Sequence, residues 1–152
     1  MSDFDEVDHQ VLRLLAADGR SSFTDLAKQT GLSTSAVHQR VRRLEQRGAI
    51  TGYVARIDPL LAGLPLTAFV SITPIDAAAV DDAPGLLAHL PAIEACHSVA
   101  GDESYILKVR VRDPGELEGL LQEIRTVAGV RTRTTVVLST PWEGRERPPY
   151  DD

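Results

Sequence analysis

Apolar positions follow two regimes along the chain. Up to about residue 50 they recur at helical intervals, and from Leu66 onward strand-like alternation and helix-like spacing take turns. Val7, Val11, Leu12, Leu14 and Leu15 predict a first helix from after Asp5 to about Asp18, with Asp5, Glu6 and Asp8 at the positive end of its dipole. Gly19 supplies the turn that ends it. Ser22 with Asp25 three residues on has a capping-box pattern, and Leu26 and Ala27 face inward on a second helix closed by Gly31. Leu32 plugs that turn. Ser33 then caps a third helix running to about Arg47, where Gly48 stops it. On this helix Ala36, Val37, Val41 and Leu44 share one face, leaving Thr34, Ser35, His38, Gln39, Arg42 and Arg43 on the other. The spacing of Ala27, Gly31 and Val37 lets two helices cross closely at a tight turn, as in a helix-turn-helix. Ile50–Ala55 predicts a short strand or hairpin beside it, a wing.

Ile57-Asp58-Pro59 marks the exit from this module. Beyond it the pattern predicts a strand over Leu66–Thr73, a helix over Asp82–Leu90 and a strand over Ile93–Val99. A cleanly alternating strand follows over Tyr105–Val111, then a helix over Pro114–Val127 and a β-branched strand over Val130–Leu138. The order β-α-β-β-α-β is that of the ferredoxin-like split βαβ unit. The chain therefore reads as α+β: a winged helix-turn-helix over residues 1–52, a linker over 53–65, a ferredoxin-like domain over 66–140 and a tail over 141–152. One sheet face lacks helices, and its apolar and threonine surface predicts burial against a second subunit. The tail, rich in proline and charge, is expected to pack poorly or only through Trp142.

Charge separates the modules further. The net charge of -6 argues against indiscriminate nucleic-acid binding, yet residues 1–52 balance 7 Lys/Arg against 7 Asp/Glu while the remainder carries 9 against 15. Within the neutral part, Arg40, Arg42, Arg43 and Arg47 crowd onto the third helix, opposed there only by Glu45. A basic, hydroxyl-bearing helix at a tight turn suits a DNA major groove. Ser33, Thr34 and Ser35 at its start can reach base edges or phosphates; Gln39 matches adenine and Arg42 guanine, with His38 alongside. Arg43 and Arg47 are expected on phosphate oxygens, and Arg40, beside buried Val41, on a carboxylate.

The single Cys96 excludes an intramolecular disulfide and a multi-cysteine metal site, and is expected as a small buried hydrophobe. No apolar run approaches the roughly 20 residues of a membrane helix, and the acidic start MSDFDEVDHQ is unlike a secretory signal. A reduced cytoplasm is the expected compartment. His9, His38, His89 and His97 form no spaced cluster with Cys96 or the acids, and no glycine-rich phosphate loop, nucleophile elbow or metal signature is present. No catalytic residue, metal or cofactor is expected.

Four segments in order carry a resemblance: D-x2-VLRLLAADGRSSFTDLA, GLSTSAVHQRVRRLEQRGAITGYVARID, SVAGDESYILKVRV and GVRTRTTVVL. From Val7 to Leu138 the chain resembles the Lrp/AsnC, or feast/famine, family of transcription regulators. The resemblance implies a DNA-binding module joined to an amino-acid-sensing ferredoxin-like domain, with dimers formed through the sheets and commonly assembled into octamers. It departs from the family where an acidic residue often stands fourth in the loop Gly101-Asp102-Glu103-Ser104: here that place is Ser104. Chemically the loop remains suitable, because turn N–H groups can hold a carboxylate while Asp102 or Glu103 meets an ammonium. Thr134 and Thr135 can add hydroxyls if a neighbouring subunit brings them close. Two rival readings are a ligand-sensing oligomeric adaptor that binds no DNA, and a tetrapyrrole decarboxylase-like enzyme, since some relatives of this two-module shape are such enzymes.

Overall fold

The computed structural model describes residues 4–76 and 82–144. It divides into two compact units that part between Arg56 and Ile57, residues 142–144 grouping with the first.

The first unit contains α1 (Glu6–Ala17), α2 (Phe23–Thr30) and α3 (Thr34–Gln46). Each begins on a side chain that relieves unpaired helix N–H groups. Asp5 caps α1 in a reciprocal capping box with Asp8. Ser22 accepts from the Asp25 N–H at 3.1 Å and Ser33 from the Ala36 N–H at 3.2 Å. The Ser22–Asp25 arrangement differs from the expected box, because the Ser22 hydroxyl donates to the Asp25 carboxylate at 2.6 Å. Val11, Leu26, Ala27, Val37, Val41 and Leu44 form the core of this unit.

The second unit holds β1 (Leu66–Pro74), α4 (Ala83–Leu87), β2 (Ile93–Ser98), β3 (Tyr105–Val111), α5 (Pro114–Ala128) and β4 (Val130–Val136). All neighbouring strands are antiparallel, in the order β2-β3-β1-β4. That is the ferredoxin-like arrangement the βαββαβ order predicts. Ala68, Val70, Ile72, Leu107, Val109 and Val111 point to one face, where Leu87, Leu117, Leu120 and Ile124 of the helices cover them.

Several expectations need correction. The helix expected over Asp82–Leu90 stops at Leu87, because Pro91 bars helical backbone at the residue before it. No strand forms over Thr51–Asp58; the wing is an irregular segment, since a lone stretch without a neighbour to pair with gains no ladder of hydrogen bonds. Cys96 is exposed rather than buried. It sits on edge strand β2 beside the five-residue α4, too short to cover it, and lines a cleft of about 220 Å³ with Leu87, Leu90 and Leu107. The open sheet face is mixed rather than apolar: Phe69 is 41% exposed, but Ile106, Lys108, Arg110 and Arg133 share that side. Trp142 is 65% exposed and contributes little burial. The remainder of the expected tail, residues 145–152, lies outside the described residues.

Candidate functional site

Helices α2 and α3 meet at Gly31, which takes a left-handed conformation with φ 71° and donates its N–H to the Ala27 carbonyl. The Leu32 N–H returns to the same carbonyl at 3.1 Å. This turn sets α3 across α2 with Val37 and Leu44 fully buried and Val41 nearly so. Burial on that side leaves Thr34, Ser35, His38, Gln39 and Arg42 exposed on the other. The Arg42 side chain makes no hydrogen bond or ion pair among the described residues. The Ser33 hydroxyl is committed to its cap and to a 3.1 Å contact with the Ser35 hydroxyl. His38 stands edge-on to the Phe23 ring, centroids 5.0 Å apart.

The other arginines are engaged within the unit. Arg40 Nη1 meets both carboxylate oxygens of Asp5 at 2.8 and 2.7 Å and Asp8 Oδ1 at 2.7 Å, as its place beside Val41 suggested. Arg43, expected on phosphate, gives its Nη2 to Asp8 Oδ2 at 2.6 Å. Arg47, also expected on phosphate, lies over the Phe4 ring at 4.8 Å, a distance typical of cation–π attraction. Hydrogen bonds from Arg40 and then from the Asp8 N–H hold the Asp5 carboxyl below its ordinary range, and the same carboxylates raise Arg40. Glu45, the lone acid among these arginines, accepts from the Tyr53 hydroxyl at 3.1 Å. Burial first, and this bond second, push the Tyr53 phenol up.

Sequence reasoning missed the roles of Asp8 and Phe23. Asp8 was legible only as a dipole-end acid, although Arg40 and Arg43, three residues apart, must share a helix face and needed a common partner. Phe23 opens α2 as an apolar residue at an exposed position, a signal visible in the sequence.

In the second unit the loop Gly101–Ser104 joins β2 to β3. Ser104 does not offer a free N–H: its N–H donates to the Ile72 carbonyl at 3.0 Å, and its carbonyl accepts from Val99. The Glu103 carboxylate is ion-paired with Arg133 on β4. Gly101 and Asp102 are exposed. Thr134 is opposite buried Val70 and Thr135 opposite Phe69, so alternation sends the two hydroxyls to opposite sheet faces. Thr135 shares the open face with Arg133, whereas Thr134 faces the helices and the two cannot join one site in a single chain. Nearby, Glu94 receives Lys108 at 3.0 Å and Arg110 at 2.6 Å. Burial alone would raise Glu94, but these two cations outweigh it and hold the carboxyl below its ordinary range.

Among the described residues no helix is long and apolar enough to cross a membrane, and no group of three or more His, Cys, Asp or Glu is placed to hold a metal ion.

Comparison with known proteins covers both units. An AsnC-type helix-turn-helix domain matches residues 4–45, and an Lrp/AsnC ligand binding domain matches residues 67–147. The chain is 53% identical over 145 residues to the HTH-type transcriptional regulator LrpA of Mycobacterium tuberculosis, covering 95% of this chain and 97% of that protein. It is 40% identical over 141 residues to the leucine-responsive regulatory protein of Salmonella typhimurium, covering 90% and 85%. A feast or famine regulatory protein from M. tuberculosis, solved in complex with L-methionine, superposes with a TM-score of 0.93 at 53% identity, over 95% of this chain and 99% of that one.

Proposed function

This chain belongs to the Lrp/AsnC family and is a DNA-binding transcriptional regulator rather than an enzyme; on that premise we propose that the exposed face of α3 selects its sites and that an amino acid bound at the sheet domain modulates it. The observation that carries the first part is the division of α3. Its apolar side is sealed into the core, while Thr34, Ser35, His38, Gln39 and Arg42 face outward. Arg42, unengaged, is the base reader, suited to paired acceptors of guanine, and Gln39 suits adenine. Ser33 contributes by fixing the helix start, and Arg43 and Arg47 border the surface. Two copies would place two such helices at half-sites about one helical turn apart, or a multiple. Pairing through the open sheet faces into dimers, and of dimers into octamers, supplies that arrangement in the cytoplasm.

For the second part, L-methionine bound by the similar regulator supports an α-amino acid as effector. Asp102 and the loop N–H of Gly101 suit its two charges; Glu103 and Ser104 adjoin them in the loop, and Thr135 joins from a neighbouring subunit. Thr134, on the covered face, enters only if a neighbouring subunit reshapes that edge. An effector that prefers one assembly biases the equilibrium by its differential affinity, with a coupling of about 1–3 kcal/mol. The test is a gel shift on DNA upstream of its own gene, run with and without each common amino acid, beside a thermal-shift screen. At least one amino acid is expected to move both the melting temperature and the DNA-bound fraction. A full screen in which neither readout moves would overturn the effector reading, and a gel without any shift would overturn the DNA reading.

A further inference from the structure

We propose that Asp8, assisted by Asp5, is a specificity-determining residue that withholds Arg40 and Arg43 of the reader helix from DNA phosphate. The proposal rests on α3 being the helix that meets DNA.

Asp8 is 0% exposed, the one fully buried charged side chain among the described residues. Its two oxygens each hold a different arginine of α3, Oδ1 taking Arg40 and Oδ2 taking Arg43, at 2.7 and 2.6 Å. Asp5, half exposed, adds both its oxygens to Arg40. Two carboxylates therefore meet two guanidiniums, and the quartet is neutral. A carboxylate out of water is costly unless compensated, and removing one partner of a buried pair costs more than the pair itself contributes. A phosphate contact made in solvent offers far less than that loss. The arginines consequently stay on Asp8, although Arg43 remains 47% exposed and lies on the helix that would approach DNA.

Binding to DNA of any sequence comes almost wholly from phosphate neutralisation, whereas selection comes from base contacts. Neutralising two of the three arginines on the reader helix thus weakens sequence-independent binding more than site-specific binding. The ratio between them, on which a regulator among many competing sites depends, is widened. Arg42, which has no carboxylate partner among the described residues, keeps its charge for a base edge.

Salt titration decides the matter, with binding to a random-sequence duplex followed by fluorescence anisotropy. Asp8→Asn releases Arg43, whose carboxylate partner is Asp8, while Arg40 stays on both oxygens of Asp5. Asp5→Asn retains the helix cap, because Asn caps as well as Asp, and leaves Arg40 on Asp8, so it should keep the wild-type slope. The one released arginine should steepen the dependence of log affinity on log salt by about 0.9, so the advantage of Asp8→Asn over wild type grows about three- to fourfold between ~200 and ~50 mM salt. Arg43→Gln should leave the wild-type slope unchanged and abolish the gain in the Asp8→Asn background. An unchanged slope in folded Asp8→Asn, or a slope already lowered by Arg43→Gln alone, would overturn the proposal. Should Asp8→Asn not fold, as judged by circular dichroism, Arg43→Gln and Arg40→Gln in the wild-type background decide: unchanged slopes support the proposal and a lowered slope overturns it. A merely structural role for Asp8 predicts the opposite sign, weaker binding to every duplex. Wild type that binds no DNA at any salt would sink the reader-helix assignment and this proposal together; wild type that binds while the Asp8→Asn slope stays put sinks the proposal alone.

Discussion

Individual arginines in this protein cannot be understood from their number on a helix. Three lie on α3 and a fourth, Arg47, caps its end, yet Arg40 and Arg43 are held by Asp8, Arg47 lies over Phe4, and Arg42 stands apart. Residue spacing foretold that Arg40 would find a carboxylate; it did not foretell that Arg43 would share it, because the partner comes from a helix more than thirty residues away. Glu94 poses the same question in the sheet unit, where Lys108 and Arg110 hold its carboxyl below the ordinary value of 4.5. A lowered carboxyl stabilises the fold fully above the unfolded value and loses that contribution as pH falls through the folded one. Glu94→Gln should therefore lower the melting temperature at neutral pH, with the deficit shrinking as pH falls from the unfolded value through the lowered folded one. Thermal melts across that range check this, and an equal deficit at both ends would contradict it.

At the scale of elements, the helices and strands with strong periodicity were legible and those shaped by context were not. α1, α3 and α5 carry helical apolar spacing with caps at their starts, β3 alternates strictly, and all four form close to where the pattern puts them. α4 was overextended because its apolar residues Leu86, Leu87 and Leu90 suit a helix, while Pro91 decides its end. β-prone residues predict a short strand or hairpin for the wing, but a strand is defined by its neighbour, which local sequence does not contain. The turn between α2 and α3 was legible, and it makes a prediction. A Cβ at Gly31 would meet nothing within 4 Å, so Gly31→Ala carries only the backbone penalty of φ 71°. That penalty is about 1–2 kcal/mol, measurable by chemical denaturation of the purified protein. A neutral Gly31→Ala would mean the turn tolerates another geometry and does not fix the angle of α3.

For the whole molecule, charge follows the division into units: residues 1–56 carry 8 Lys/Arg against 7 Asp/Glu, while residues 57–141 carry 6 against 11. The acidic unit gains nothing by approaching phosphate, and the nearly neutral unit offers, among the described residues, one unengaged arginine side chain on α3, with exposed polar side chains around it. The candidate effector loop was less legible. Its polar chemistry was visible, but the Glu103–Arg133 pair and the opposite facing of Thr134 and Thr135 follow from strand register, which only the assembled sheet fixes. The account as a whole depends on α3 meeting DNA through Arg42. Its most direct test is a salt titration of Arg42→Ala against wild type on DNA from upstream of its own gene and on a random duplex. The account predicts a loss of about 1–3 kcal/mol on the specific site, with a much smaller loss on the random duplex. Equal affinity of the two proteins for the specific site at every salt concentration would contradict it.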